Sequence, residues 1–387
     1  MRSTGDRPWW GRPPNRLVSE SRFCTLRAVS TTDFRPGLEG VIAFETEIAE
    51  PDKDGGSLRY RGIDIEELVG RYPFENVWGL LVDEDINSPL QPVDGIELQD
   101  PSGSVPADLQ AALATLGPKW GMRKIVDISD EEARDNLAQL SGATLTIVAQ
   151  AARGRQTPVS ESEVAKGRNA AERFLIRWRG EADPKHVKAL DTYWISAAEH
   201  GLNASTFTAR IAASTGADCA AAMSSAVGTL SGPLHGGAPA RVLPMIEGAE
   251  HADDLEQYLK DMLARGERIM GFGHRVYRAY DPRATVLKRT AMELGSPRVE
   301  LAAALEDAAL KVLRERSPDR QLETNVEYWA AVVLDYAQIP PDLTPAMFGC
   351  ARVAGWSAHI LEQKRTGRLI RPSARYVGPP PRTLADL

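Results

Sequence analysis

Beyond Ile63 the apolar residues of this chain recur at three- and four-residue intervals, so nearly every segment predicts a helix. Leu301, Leu305, Ala308 and Val312 mark one such face. Ser296-Pro297 ahead of them predicts a cap followed by proline at the first helical position. Asp253 and Glu256 stand at capping-box spacing before Leu255, Leu259, Met262 and Leu263. The stretch PAMFGCARVAGWSAHILEQKR predicts another long helix. Pro, Gly and Ser clusters at 101–106, 231–239 and 339–345 punctuate these segments. Strand character is confined to the N-terminal part. There GVIAFETEIAE alternates apolar and polar positions and predicts a short strand pair, followed by a turn at Asp54-Gly55-Gly56. No internal repeat is present. The pattern predicts an all-α, multi-helix architecture with a short β segment near the N-terminus.

Composition narrows the class. A length of 387 residues suggests two or three domains' worth of chain, and 43% hydrophobic content is enough for a sizeable core. Lys and Arg number 46 against 53 Asp and Glu, a net charge of −7. Such a balance argues against nucleic acid or an anionic membrane as partner. No run approaches the length of a transmembrane helix. Cys24, Cys219 and Cys350 are few and scattered. They argue against a disulfide framework or a CxxC metal site and suit the cytoplasm. Residues 1–34 differ from the rest, being rich in Arg, Pro and Ser without apolar period. They read as a disordered extension or a start codon called too far upstream. An Arg-rich transit peptide is the alternative, weakened by Asp6, Glu20 and early prolines; no apolar region supports secretion.

The chemistry concentrates around histidines. In HVKALDTYWISAAEHGLNASTFTARIAAST, Gly201 predicts a helix stop and Asn203 or Ser205 the next cap. His200 then falls at a helix end, where it suits either a structural cap or a donor. In SGPLHGGAPARVLPM, Gly232-Pro233 breaks a helix, and Gly236-Gly237 beside His235 lets backbone approach a ligand. The chain has no G-x-S-x-G elbow to make this a serine-esterase loop. In RIMGFGHRVYRAYDPRATVLKRT, Gly271, Phe272 and Gly273 lack the third glycine of a dinucleotide fingerprint. What remains is a glycine loop, His274, and Arg275, Arg278 and Arg283, a set suited to anions. Asn325 predicts a cap that puts Glu327 in a first helical turn, where the helix N-terminus would keep it ionised. Arg352 and His359, seven apart, share a helix face, and His359 reads as structural. Arg371-Pro372 follows in an irregular tail. A His-rich metal site is disfavoured, because the histidines lack paired spacing.

GPLHGGA, MGFGHRVYRAYDPR, HGLNAST, NVEYW and RVAGWSAH…EQ…RLIRP, in series, resemble the citrate synthase family, as do GLEGV and LRYRGIDIEEL upstream. The resemblance spans roughly residues 35 to 380. It implies a two-domain all-α fold, a large domain of residues 35–236 and 339–387 and a small one of 237–338. It implies a homodimer with a shared active site, and condensation of acetyl-CoA with oxaloacetate followed by citryl-CoA hydrolysis. No metal or tightly bound cofactor is implied; CoA enters as co-substrate. By resemblance, His235 stabilises the enol, His274 polarises the ketone and Glu327 is the base. His200, Arg283, Arg352 and Arg371 hold oxaloacetate, the last in the neighbouring subunit's site. Arg278 contacts a CoA phosphate, and the Gly271–Gly273 backbone lies beside the adenine. The chain departs from the family pattern at Glu327 and Glu199, where aspartate is usual, and at Ala238-Pro239. An extra methylene at the base predicts a compensating backbone, a slower condensation or a different substrate, with compensation expected. The alternatives are 2-methylcitrate synthesis from propionyl-CoA and a catalytically weak CoA- or dicarboxylate-binding relative.

Overall fold

A computed structural model describes residues 34–52, 56–98, 100–236, 241–273, 280–320 and 322–386. They fall into two units, a segment through Glu45 and a body from Thr46 onward. Among the described residues the first contains a 3-10 turn at Pro36–Leu38. Residues 1–33 and the turn residues Asp54 and Gly55 lie outside the described part.

The body opens with three short strands, β1 Ala49–Pro51, β2 Leu58–Tyr60 and β3 Ile63–Asp64, in one antiparallel sheet of that order. The strand pair predicted within residues 40–50 is therefore displaced toward the C-terminus. Alternation alone does not make a strand; a buried face does. Leu58 and Tyr60 have fully buried side chains, whereas Ile42 is 88% exposed.

Helices follow without further strands among the described residues. They are α1 Ile65–Leu68, α2 Phe74–Asp83, α3 Val105–Lys119, α4 Asp130–Arg153 and α5 Glu161–Val164. Next come α6 Ala170–Arg179, α7 Pro184–Ala197, α8 Ala204–Ser214, α9 Cys219–Leu230 and α10 Val242–Ala249. The last are α11 Leu255–Ala264, α12 Pro282–Leu294, α13 Val299–Arg316, α14 Val326–Tyr336 and α15 Thr344–Thr366. Two predicted caps move by a residue or more. Asp254, not Asp253, accepts the Gln257 N–H at 3.0 Å, and α13 begins two residues after Pro297. The Ser296 hydroxyl is buried without a hydrogen-bond partner among the described residues and caps nothing.

Helix α15 is the axis of the body. Every residue from Gly349 to Leu361 is buried, so this helix is enclosed on all sides, as a central helix must be. It packs against α2, α4, α7, α8 and α9. Helix α7 in turn packs against α12 and α14. The start of α2 shows how α7 organises its surroundings. Pro73 gives that helix no side-chain cap, and Asp191 of α7 accepts the Phe74 N–H at 2.9 Å instead. Trp78, Trp194, Trp329 and Trp356 are all fully buried, and truncating any one costs about 3–5 kcal/mol.

Candidate active site

Helix α7 ends at Ala197, three residues before His200. That end is held by the sheet. The Tyr60 hydroxyl has Ile195 O at 2.9 Å and Glu199 O at 3.1 Å as acceptors, and takes the Glu199 N–H at 3.2 Å. Carbonyls at a helix C-terminus lack intrahelical donors, and a buried phenol supplies one. His200 is thereby fixed in a buried turn, 8% exposed. The turn closes at Asn203, whose Oδ1 accepts the Thr206 N–H at 3.1 Å to cap α8.

Arg352 lies on the face of α15 toward this turn and donates from Nε to Ala197 O at 3.0 Å. It is 1% exposed, and its Nη1 has no hydrogen-bond partner among the described residues. Burial depresses its pKa, and Arg283 depresses it further while Glu199 opposes. Glu199 fits because position 355 is glycine: a Cβ there would sit 1.9 Å from its Oε2. Its Oε1 is 3.2 Å from His359 Nε2, and His359 Nδ1 is 2.9 Å from Arg210 Nη1. Arginine only donates, so Nδ1 accepts and Nε2 donates to Glu199.

Arg283 opens α12 and is 3% exposed. Asp281, the residue before Pro282, caps that helix by accepting the Arg283 N–H at 3.1 Å. The same carboxylate takes Arg283 Nε at 2.9 Å and Nη2 at 2.7 Å, and the Val326 N–H at 3.0 Å. One buried acid therefore ties the arginine to the start of α14. Asn325 caps α14 through the Glu327 N–H at 3.0 Å, as its position predicts. The glycine loop docks beside it. Asn325 N–H donates to Gly271 O at 2.9 Å, its Nδ2 to Gly273 O at 2.9 Å, and Gly273 N–H to Glu323 O at 2.7 Å. Gly271 has φ +87°, and a Cβ there would meet Tyr328 at 2.8 Å.

Glu327 differs from its expected state. Burial pushes its carboxyl up to about 7, with Arg283 pulling it down and Asp281 raising it. Desolvation outweighs the helix N-terminus. A carboxyl poised there exchanges a proton readily near neutrality.

His235 sits in the turn after α9, with Nε2 3.0 Å from Ser205 Oγ. Trp356 Nε1 donates to that oxygen at 3.2 Å, and Asn203 Oδ1 lies 2.8 Å from it. The single serine proton goes either to Asn203 or to His235. Burial first, then Arg352, depresses the imidazole to about 4, so it is neutral at pH 7. Its ring stands edge-on to Phe348 at 5.9 Å, and the Arg352 guanidinium lies 4.7 Å from the same phenyl centre.

Five elements thus bring His200, His235, Arg283, Glu327 and Arg352 into one neighbourhood. Buried Tyr193 of α7 lies within the electrostatic reach of Arg352, Arg283 and Glu327. Arg371 is not among them; it is exposed in the irregular segment after α15. His274 and Arg278 lie outside the described residues. Tyr60, Asp281, Tyr193 and Phe348 escaped the sequence reading. Only Asp281 carried a local signal, an acid directly before Pro-Arg at a helix start. Among the described residues no three His, Cys, Asp or Glu side chains gather as a metal site, and no helix is long and apolar enough to cross a membrane.

Two buried arginines, a neutral histidine and a buried carboxyl with a raised pKa lie on these elements. A sequence profile described as "Citrate synthase, C-terminal domain" matches residues 37–373. "Putative citrate synthase 2" of Mycobacterium tuberculosis is 60% identical over 353 residues, 91% of this chain and 95% of that protein. "2-methylcitrate synthase" of Shewanella oneidensis is 31% identical, over 91% of this chain and 96% of that one. The Thermoplasma acidophilum citrate synthase, solved with carboxymethyl-CoA and oxaloacetate, superposes with a TM-score of 0.77. It shares 27% identity and covers 92% of this chain and 99% of its own. The chain belongs to the citrate synthase family, with that family's fold.

Proposed function

We propose that this chain condenses acetyl-CoA with oxaloacetate and hydrolyses the citryl-CoA thioester to citrate and CoA. The observation that carries the reading is the pair of buried arginines, with Arg352 Nη1 lacking a partner among the described residues. Buried cations that repel each other are stabilised by a bound dianion. Arg283, Arg352 and His200 hold the oxaloacetate carboxylates, with Arg371 from a second copy completing the set. His274 polarises the ketone.

Glu327 takes a proton from the acetyl methyl. The thioester methyl is very weakly acidic, so a donor must meet the negative charge forming on its oxygen. His235 is that donor. Its Nε2 faces Ser205, so Nδ1 must donate, and Ser205 must then give its own proton to Nε2. The enol carbon attacks the ketone, and water cleaves the thioester afterwards. Gly271, Phe272 and Gly273 line the CoA side, with Arg278 on a phosphate. Residues 237–338 form the small domain that closes over the cleft and excludes water until the bond has formed. The enzyme works as a homodimer in the cytoplasm.

Oxaloacetate-dependent release of CoA from acetyl-CoA tests this. Glu327→Gln is expected to lower turnover by about 1,000-fold or more while oxaloacetate still binds. Full activity in that variant would overturn the assignment. A higher kcat/KM for propionyl-CoA would convert the reading to 2-methylcitrate synthesis.

A further inference from the structure

Phe348 occupies a position that no catalytic role explains. It belongs to α15, where Ala346, Met347, Gly349, Cys350 and Ala351 are all buried, yet its own side chain is only half-buried. The phenyl therefore stays partly open where its neighbours from Ala346 to Ala351 are enclosed. The ring also joins two groups assigned to different substrates. The His235 imidazole meets it edge-on, 5.9 Å between centres at 73°, and the Arg352 guanidinium lies 4.7 Å from its centroid. His235 is held from the other side by Ser205 at 3.0 Å, and Arg352 by Ala197 O at 3.0 Å. The ring thus contacts two side chains that are each hydrogen-bonded elsewhere.

We infer that Phe348 is the specificity-determining wall of the acyl site, and that its bulk favours an acetyl over a propionyl thioester. The inference rests on the function proposed above. If His235 holds the thioester oxygen and Arg352 an oxaloacetate carboxylate, the new carbon–carbon bond forms between these anchors. The nucleophilic carbon is bonded to the thioester carbonyl, and its target is bonded to a carboxylate. A ring that touches both anchors borders that carbon. Propionyl-CoA adds one methyl group at this carbon, and a rigid phenyl cannot recede from it. A pocket discriminates one methylene by about 10- to 200-fold, so a single wall residue accounts for a preference of that size. Phe348 transfers no proton and forms no bond; it acts by occupying volume.

The test is the ratio of kcat/KM for propionyl-CoA to that for acetyl-CoA, each at saturating oxaloacetate, in the unaltered protein, Phe348→Leu and Phe348→Ala. Loss of folded protein or of oxaloacetate affinity cancels in this ratio. The expected result is a rise of about threefold in the leucine variant and about tenfold or more in the alanine variant. If the alanine variant does not fold, the leucine variant decides. A ratio within twofold of the unaltered protein overturns the inference, as does a fall. Absence of CoA release from either thioester by the unaltered protein overturns the proposed function itself, and Phe348 falls with it.

Discussion

Arg283 and Arg352 are buried at 3% and 1% exposure, each pinned by a protein acceptor, whereas Arg371 lies exposed beyond the end of α15. The last tether before it is the Ile370 N–H, donated to Ser214 at 3.1 Å. The three arginines share a proposed ligand but differ in how they are readied for it. The buried pair is aimed in advance by Asp281 and by the end of α7, at the desolvation cost of cations inside a protein. The tail arginine avoids that cost but is not preorganised by its own chain. Such a residue contributes to a rigid site only when another surface orders it, which is why the proposed dimer and the tail belong together.

The largest effect separating the two regions is expected from Arg352→Leu. It removes a buried cation whose Nη1 has no hydrogen-bond partner among the described residues, while Glu199 keeps its contact with His359, and replacing such a charge by a packed apolar residue is often neutral or stabilising. Urea unfolding is expected to show a midpoint equal to the parent's or above it. Oxaloacetate-dependent CoA release is expected to fall on the order of 1,000-fold. A variant clearly less stable than the parent would show that Arg352 carries no net desolvation cost, and the contrast with the tail would collapse.

How much of this contrast the sequence displays depends on whether the deciding interaction is local. Asn325 and Asn203 are caps, and both were legible because a cap acts within three residues. The glycines at 271 and 273 are legible as a loop for the same reason, since their positive φ is a local property. Tyr60 was not. Its hydroxyl acts on residues more than 130 positions away, and nothing near LRYRG announces the end of α7. Phe348 likewise sits within an apolar helical pattern, where it is indistinguishable from core. Ser296-Pro297 and Asp253 misled by one or two residues, because several polar side chains there satisfy the same cap pattern and tertiary packing selects one. The ionisation of Glu327 is not legible for a related reason: a helix N-terminus is visible in sequence, but the burial that outweighs it is not.

Arg371→Ala is the next largest test. Stability is expected to stay within about 0.5 kcal/mol, as for an exposed side chain without packing. Turnover is expected to drop by about 100-fold through loss of a charge-assisted contact in the bound state. Mixing this variant with a His235→Ala chain should restore activity, because each mixed dimer regains one intact site. Confirmed subunit exchange without recovery would place Arg371 outside the neighbouring site.

The smallest effect on turnover, and the most selective, is expected from Asp281→Asn, which probes the buried region from within. Asp281, the cap of α12, raises the Glu327 carboxyl, while Arg283 in the first turn of that helix lowers it, and Glu327 in turn acts on Tyr193 of α7. The proposed base acts ionised, so kcat/KM of the parent should fall as pH drops below about 7. Removing the Asp281 charge leaves the Arg283 field unopposed, so Glu327 ionises at lower pH and the acid limb moves down. The amide keeps one acceptor oxygen where the carboxylate served Arg283 Nε, Arg283 Nη2 and the Val326 N–H. Arg283 is then held less firmly, and KM for oxaloacetate should rise about tenfold. A merely destabilised protein would lose activity at every pH without moving the limb. An unmoved limb with a raised KM would show that Asp281 aims the arginine but that the titrating group is not Glu327.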